Sequence, residues 1–129
     1  MKINRVKDLE IWQIGIELVV IIYKLSSTTK FSRDFGLRDQ IRRAIVSVVS
    51  NIAEGFEMNN NNDFIRFLRI AKGSIGEVGT QIYIAYKLEY ISEAQFKSVS
   101  NKLDLLASKT GSFINYLLVK KNNKEYTTR

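Results

Sequence analysis

The sequence predicts an all-α fold, an antiparallel up-down-up-down four-helix bundle. Apolar residues recur at steps of three and four in four long segments, which is the spacing of one helix face. The 129 residues include no proline and only seven glycines, so long uninterrupted helices are permitted. Because the breaks between these segments are short, neighbouring helices should be antiparallel, and we expect residues 1–129 to form a single domain.

The first predicted helix runs from about Asp8 to Leu25. Asp8 is expected to cap its start, because a carboxylate can accept hydrogen bonds from the first backbone amides. The hydroxyl side chains of residues 26–29 should end it, since they compete for backbone hydrogen bonds. The residues expected to face the core are Leu9, Trp12, Ile16, Val19, Val20 and Tyr23.

The second predicted helix runs from about Arg33 to Glu54. Residues 45–49 are rich in β-branched side chains, which is typical of a strand, but helical spacing continues on both sides and favours a helix. Gly55 is expected just after the helix, where a left-handed residue is preferred. The core-facing residues should be Leu37, Ile41, Ile45, Val48 and Ile52.

The third predicted helix follows an asparagine-rich turn at residues 58–62 and runs from about Asn62 to Glu89. Glycines at positions 73, 76 and 79 lie within it, and each costs about 1 kcal/mol relative to alanine. We expect them to allow close approach of a neighbouring helix. A seven-residue repeat, typical of a bundle seam, is formed by Phe64, Leu68, Ala71, Ile75, Val78, Ile82 and Ala85.

The fourth predicted helix opens with a capping-box pattern from Ser92 to Gln95. The polar and basic tail, about residues 120–129, is expected to fray. The helix carries a second seven-residue seam, formed by Phe96, Val99, Leu103, Leu106, Thr110, Phe113 and Leu117.

A polar stripe accompanies the apolar stripe on the second and third predicted helices. A solvated helix face usually carries lysine and glutamate without such order, so this stripe predicts a specified polar contact between helices or between subunits. A buried polar layer of this kind can fix helix register and oligomeric state. The alternative is that Asn51 and Glu54 touch a ligand. The stripe consists of Gln40, Arg43, Ser47, Asn51 and Glu54, followed by Arg66, Gly73, Glu77 and Gln81.

The composition argues against an enzyme. The chain has no histidine and no cysteine, which excludes histidine-dependent nucleophiles, imidazole ligands and thiolate metal sites. Glu54 and Glu77 could pair for acid–base chemistry, but a di-iron bundle needs Glu-x-x-His motifs. We therefore expect no catalytic residue, cofactor, metal or small-molecule substrate. The nearby cations predict structural ion pairs for these glutamates: Arg43, Arg66 and Arg69.

The net charge of +7 indicates an acidic partner such as nucleic acid, or else simply a soluble basic protein. On one subunit the basic residues form an ordinary solvated surface, whereas a ring would repeat them into a positive band that engages phosphates without reading sequence. The residues predicted to contact nucleic acid are Arg38, Arg42, Arg69, Lys72, Lys120, Lys121 and Lys124.

The sequence predicts a cytoplasmic protein without a membrane partner. The longest apolar run, residues 18–22, is too short to cross a bilayer. Acidic residues interrupt the apolar stretch near the start, and no small-residue cleavage site follows it.

Several motifs resemble those of a known family. They are Leu9-x-x-Trp12, Phe35-Gly-Leu37, Gln40-Ile-Arg-Arg-Ala44, Ser47, Ser50-Asn-Ile-Ala-Glu-Gly55, Phe67-Leu68, Ile70-Ala-Lys-Gly-Ser74 and Glu77. With them the chain resembles the small bacterial four-helix-bundle proteins encoded within intervening sequences of 23S rRNA genes. That family is similar to the accessory protein of diversity-generating retroelements, a basic pentamer that binds nucleic acid and its reverse transcriptase. The resemblance implies a cytoplasmic bundle, a homopentamer, and no catalytic activity.

These observations predict a non-enzymatic oligomer that binds the backbone of RNA or DNA, or a nucleic-acid-processing partner. The alternative is a protein-interaction scaffold whose basic surface meets an acidic protein. Binding of the protein to unrelated RNA and DNA, with an affinity that falls as salt is added, would favour the nucleic-acid hypothesis over the scaffold.

Overall fold

The computed structural model describes residues 3–122, with side chains described as far as residue 120, and all regular structure in that part of the chain is helical. A 3₁₀ turn at Val6–Asp8 precedes five α-helices. These are α1 (Glu10–Leu25), α2 (Thr29–Arg33), α3 (Phe35–Glu57), α4 (Asn61–Lys87) and α5 (Glu93–Asn122). The four long helices α1, α3, α4 and α5 correspond to the four predicted ones, which confirms the all-α class.

The four long helices form a closed circuit: α1 packs on α3, α3 on α4, α4 on α5, and α5 back on α1. Contacts within each pair run in opposite chain directions. Between α1 and α5, Lys102 Nζ lies 3.4 Å from Glu17 Oε1, and Lys109 Nζ lies 2.7 Å from Glu10 Oε1. The arrangement is therefore the predicted antiparallel four-helix bundle.

The predicted seams of α3, α4 and α5 face the common core. On α4 every predicted seam residue is buried, and on α3 only Leu37 is half-buried. On α5 the two aromatic residues, Phe96 and Phe113, are half-buried while the other five are buried. The seven-residue spacing therefore identified the inward face of three helices.

The predicted core face of α1 was right for Leu9, Trp12 and Val19, which lie in or against the core, and wrong for Val20 and Tyr23. Leu9 is buried, and Trp12, Ile16 and Val19 are half-buried, but Val20 and Tyr23 remain 47% and 40% exposed. Because α1 is apolar around most of its circumference, helical spacing alone does not select one face. The buried residues of α1 are Ile11, Gly15, Leu18 and Ile22.

Two helix starts differ from the sequence prediction. Leu9, not Asp8, precedes the first residue of α1, and the Asp8 carboxylate lies 3.3 Å from the Arg5 guanidinium. The second predicted helix begins at Phe35 because Asp34 caps it, its Oδ1 accepting a hydrogen bond from Leu37 N–H at 3.1 Å. The segment before it forms the short helix α2, which sequence analysis did not anticipate.

The prediction that α3 ends at Gly55 was wrong. The helix continues through it to Glu57, and the left-handed residue is Asn59, with φ of 62°. A Cβ at Gly55 would lie 2.7 Å from Phe67 Cβ and 3.0 Å from Phe64 Cδ1. Close packing of α3 on α4 therefore requires the glycine.

The three mid-helix glycines of α4 were predicted to allow close helix approach, and within the described chain they do not. A Cβ placed at Gly73, Gly76 or Gly79 would meet no atom of another helix within 4 Å. These glycines therefore leave a strip of α4 without side chains. Each glycine lowers helix stability, and no contact among residues 3–122 offsets that loss.

The start of α5 is as predicted. Ser92 N–H donates to Gln95 Oε1 at 2.9 Å, and Gln95 N–H donates to Ser92 Oγ at 3.1 Å. The helix extends to Asn122, so fraying of the tail from about residue 120 stays a prediction, and positions 123–129 lie outside the described residues. Among the described helices, none is both long and apolar enough to cross a membrane.

Candidate nucleic-acid interface

A small polar junction lies between α3 and α4. Ser47 Oγ and Ser74 Oγ are 3.1 Å apart, and Asn51 Nδ2 donates to the carbonyl oxygen and the hydroxyl of Ser47 at 2.8 and 3.0 Å. The predicted stripe thus supplies Ser47 and Asn51 but missed Ser74, which is buried. Ser74 lies three residues before Glu77 and seven before Gln81, and this helical spacing could have identified it as a member of the stripe.

The charged members of the stripe lie beside this junction. Because Ser47 meets Ser74 in an antiparallel pair, Arg43 and Glu77 lie about one turn away toward the same end of the groove between α3 and α4. Both side chains belong to exposed residues, and neither forms an ion pair within residues 3–122. The groove therefore exposes one positive and one negative side chain to solvent at the same position along its length.

The predicted ion pairs of the two glutamates are absent from the described part of the chain. Glu54 and Glu77 are exposed and have no cationic partner there. Arg66 turns to its own helix, with Nη2 3.6 Å from Asp63 Oδ1 and its guanidinium 4.5 Å above the Phe67 ring. Spacing along the helix did not show that Arg66 reaches Asp63 in its own helix, and ion pairs of the two glutamates with another subunit stay a prediction.

The two glutamines of the stripe lie two turns from the serine contact. Gln40 is exposed, whereas Gln81 is half-buried. Gln81 Oε1 is shielded from solvent and has no hydrogen-bond partner among residues 3–122. Burial of such an acceptor without a partner carries a cost in stability.

Arg42, predicted to contact nucleic acid, joins α3 to the end of α1. Its Nε donates to Ser26 Oγ at 2.8 Å, and its Nη2 donates to Ser27 Oγ at 3.0 Å. The guanidinium also lies 4.6 Å from the centre of the Tyr23 ring. These contacts give Arg42 a structural role that sequence spacing did not reveal.

Arg38 also has partners within the chain. Its Nε donates to Asp39 Oδ1 at 2.9 Å and its Nη1 donates to the carbonyl oxygen of Ser32 at 3.2 Å. The guanidinium lies 4.9 Å from the centre of the Phe35 ring. A phosphate at Arg38 would therefore compete with three existing contacts.

The other predicted cations lie on α4 and at the end of α5. Arg69 and Lys72 are exposed, and neither has an ion-pair or hydrogen-bond partner among the described residues. Lys120 Nζ lies 5.1 Å from the centre of the Tyr116 ring. The side chain of Lys121 and the whole of Lys124 lie outside the described residues.

A cleft of about 570 Å³ opens between the start of α4 and the end of α5. Two guanidinium groups, one amide and three aliphatic side chains meet there. The cleft was not predicted from the sequence, because Leu118 lies 48 or more residues from the α4 residues that it faces. It is lined by Asn62, Ile65, Arg66, Arg69, Ile70 and Leu118.

The groups with shifted pKa values lie at the opposite end of the bundle. A hydrogen bond to Asp34 raises the pKa of Tyr90 above its ordinary value. A hydrogen bond to Glu93 likewise raises the pKa of Lys97. Within residues 3–122, no group of three acidic side chains is placed to hold a metal ion.

Comparison with known proteins identifies the family. The model of the 23S rRNA-intervening sequence protein family matches residues 7–112. A solved structure from Bacteroides thetaiotaomicron, described as a protein of unknown function from the S23 ribosomal protein family, is 26% identical and superposes with a TM-score of 0.73. The match covers 81% of this chain and 97% of that one. No curated protein matches the sequence. The chain belongs to the 23S rRNA-intervening sequence protein family.

Proposed function

We propose that this protein is a non-enzymatic cytoplasmic subunit of a homopentameric ring that binds nucleic-acid backbones. The observation that carries the nucleic-acid proposal is the pair Arg69 and Lys72. They lie about one turn apart on α4, are exposed, and have no anionic partner among residues 3–122. Such cations bind phosphates through charge and so tolerate any base sequence.

The groove between α3 and α4 supports the assembly part of the proposal. It presents Arg43, Glu54 and Glu77 without ion-pair partners in the described chain, beside the Ser47–Ser74 contact. A neighbouring subunit can supply the complementary charges, and the bare glycine strip of α4 leaves room for its side chains. The family resemblance supports five subunits.

Contacts within the chain favour some of the predicted cations over others as phosphate-binding residues. Arg42 holds α1 against α3, and Arg38 has two hydrogen-bond acceptors within the chain. We therefore assign the main contribution to Arg69 and Lys72, with Lys120 adding positive charge from α5. A ring repeats each of these charges around its axis, which strengthens the positive field.

Fluorescence anisotropy with unrelated RNA and DNA tests this function. Affinity should fall steeply between about 50 and 200 mM salt, because bound phosphates release counterions. The double variant Arg69→Gln/Lys72→Gln should bind more weakly and with a shallower salt slope. The matched control, Lys24→Gln/Lys30→Gln, removes the same charge at the other end of the bundle and should change binding less.

Two outcomes contradict the proposal. Absence of binding to any nucleic acid at low salt rules out the nucleic-acid function and favours a scaffold for an acidic protein. Equal losses in the two double variants would show that net charge, and not the α4 surface, determines the affinity. Native mass measurement of the same samples tests the oligomer separately.

A further inference from the structure

We propose that the cleft between α4 and α5 holds one unpaired nucleotide of a single-stranded nucleic acid, an inference that rests on the proposed nucleic-acid function. Its volume, about 570 Å³, lies within the range typical of small-molecule sites. The cleft combines an apolar wall with cationic and amide groups. A nucleotide has the same division, a flat base joined to an anionic phosphate.

Arg66 provides the surface on which a base can stack. Its guanidinium lies 4.5 Å from the centre of the Phe67 ring, and Nη2 lies 3.6 Å from Asp63 Oδ1. The Phe67 ring lies on one side of the guanidinium, and the Arg66 side chain remains 58% exposed, so solvent and a ligand can reach it. Bases exposed in single strands stack on guanidinium planes as well as on aromatic rings.

Arg69 supplies the phosphate contact. It follows Arg66 by three residues, so the two side chains leave the same face of α4. Arg69 has no partner among residues 3–122, and its guanidinium can donate two parallel hydrogen bonds to a phosphate.

The remaining walls suit the base. Ile65, Ile70 and Leu118 form an apolar surface, and the Asn62 amide can both donate to and accept from a base edge. An acidic peptide with an aliphatic side chain would use the arginines and this wall. Such a peptide has no planar group to stack on the Arg66 guanidinium and no base edge to pair with the Asn62 amide. The presence of both groups in the cleft therefore favours a nucleotide.

The test compares a pentanucleotide carrying a central 2-aminopurine with a duplex of the same sequence. We expect the fluorescence of 2-aminopurine to change on binding, because the base stacks in the cleft. Arg66→Lys keeps the charge but removes the planar group, and it should weaken pentanucleotide binding at least about fivefold while duplex binding changes little.

A charge-matched pair of variants locates the phosphate contact. Arg69→Gln and Lys72→Gln each remove one positive charge from α4, but only Arg69 lines the cleft. Arg69→Gln should therefore weaken pentanucleotide binding more than Lys72→Gln does, whereas the two should affect duplex binding about equally. Circular dichroism and thermal unfolding verify that each variant folds as the wild type does.

The outcomes separate this inference from the proposed function. If Arg66→Lys weakens duplex and pentanucleotide equally, or 2-aminopurine gives no signal, the cleft inference is wrong while backbone binding stands. If no nucleic acid binds, both are wrong. If a peptide containing glutamate and leucine binds and Arg69→Gln abolishes it, while the pentanucleotide does not bind, the cleft is a peptide site.

Discussion

Gly55 shows how one missing side chain sets the distance between two helices. Its bare Cα lets Phe67 and Phe64 of α4 approach α3, and an added methyl group would lie 2.7 Å from Phe67 Cβ. We expect Gly55→Ala to lower the free energy of unfolding by about 1–3 kcal/mol, because the overlap forces the helices apart. Urea unfolding followed by circular dichroism measures the change.

Gly36 provides the control for this substitution. It lies in the first turn of α3, is exposed, and a Cβ there would meet only Asp34 Oδ1 at 3.8 Å. Gly36→Ala should leave stability unchanged or raise it by up to about 1 kcal/mol, since alanine favours helix. Similar losses at both glycines would contradict the close-packing explanation.

Tyr90 links the loop after α4 to the start of α3. Its hydroxyl donates to Asp34 Oδ2 at 2.9 Å, and this hydrogen bond raises its pKa above the ordinary 10.0. Because the folded-state pKa exceeds the unfolded one, the contribution to stability is complete below pH 10 and is lost as the pH rises through the folded-state pKa. The wild type should therefore lose more stability than Tyr90→Phe above about pH 10.

Urea unfolding of both proteins from about pH 8 to about pH 11 checks the effect of Tyr90. Tyr83→Phe serves as the control, because Tyr83 is 50% exposed and its hydroxyl has no hydrogen-bond partner in the described chain. Parallel pH curves for the wild type and Tyr90→Phe would show that the hydrogen bond to Asp34 does not contribute.

At the scale of elements, α5 carries two leucines that differ only in the face they occupy. Leu103 is 3% exposed, whereas Leu105 is 47% exposed. Leu103→Ala should cost about 2–5 kcal/mol, as should Leu68→Ala in the seam of α4, because each leaves a cavity in the core. Leu105→Ala should cost less than about 1 kcal/mol, and thermal unfolding compares the three. A loss below about 1 kcal/mol at both Leu68 and Leu103 would contradict the seam assignment.

The helices that the sequence predicted best are those with a single apolar face. On α3, α4 and α5 the polar residues leave one seam, so spacing alone selects the buried positions. On α1 only Glu10, Gln13, Glu17 and Lys24 are polar, so spacing leaves the inward face ambiguous. Helix α3 covers the side that carries Gly15, where a Cβ would lie 2.6 Å from Val49 Cγ1. Helix α2 has five residues, too few for any repeat to appear.

The candidate site was harder to predict than the fold. Residue spacing found Ser47 and Asn51, because both lie on one helix face. It missed the partners of Arg42, which lie 15 and 16 residues earlier in the chain, at Ser27 and Ser26. Contacts between helices depend on register and side-chain direction, and neither can be read from one helix at a time.

At the scale of the whole molecule, the unpaired charges of the groove between α3 and α4 make assembly testable. Sedimentation should give the wild type a mass about five times the 14.9 kDa of one chain. Glu77→Arg should shift the particle to smaller species, because it places a second positive charge beside Arg43. Asp104→Arg, the same charge reversal on an exposed residue of α5, should leave the mass unchanged. A monomeric wild type at micromolar concentration would contradict the oligomer.

The circuit of helices also bears on how the chain folds. Three of its four interfaces join long helices that follow one another in sequence, and only the contact of α5 with α1 connects distant parts of the chain. Mostly local contacts give a low contact order, and helical bundles of this type fold in microseconds to milliseconds. Association of subunits is slower and depends on concentration. Each chain should therefore form its own core before it associates with another copy. Misassembly should then arise between folded subunits and not between partly folded chains.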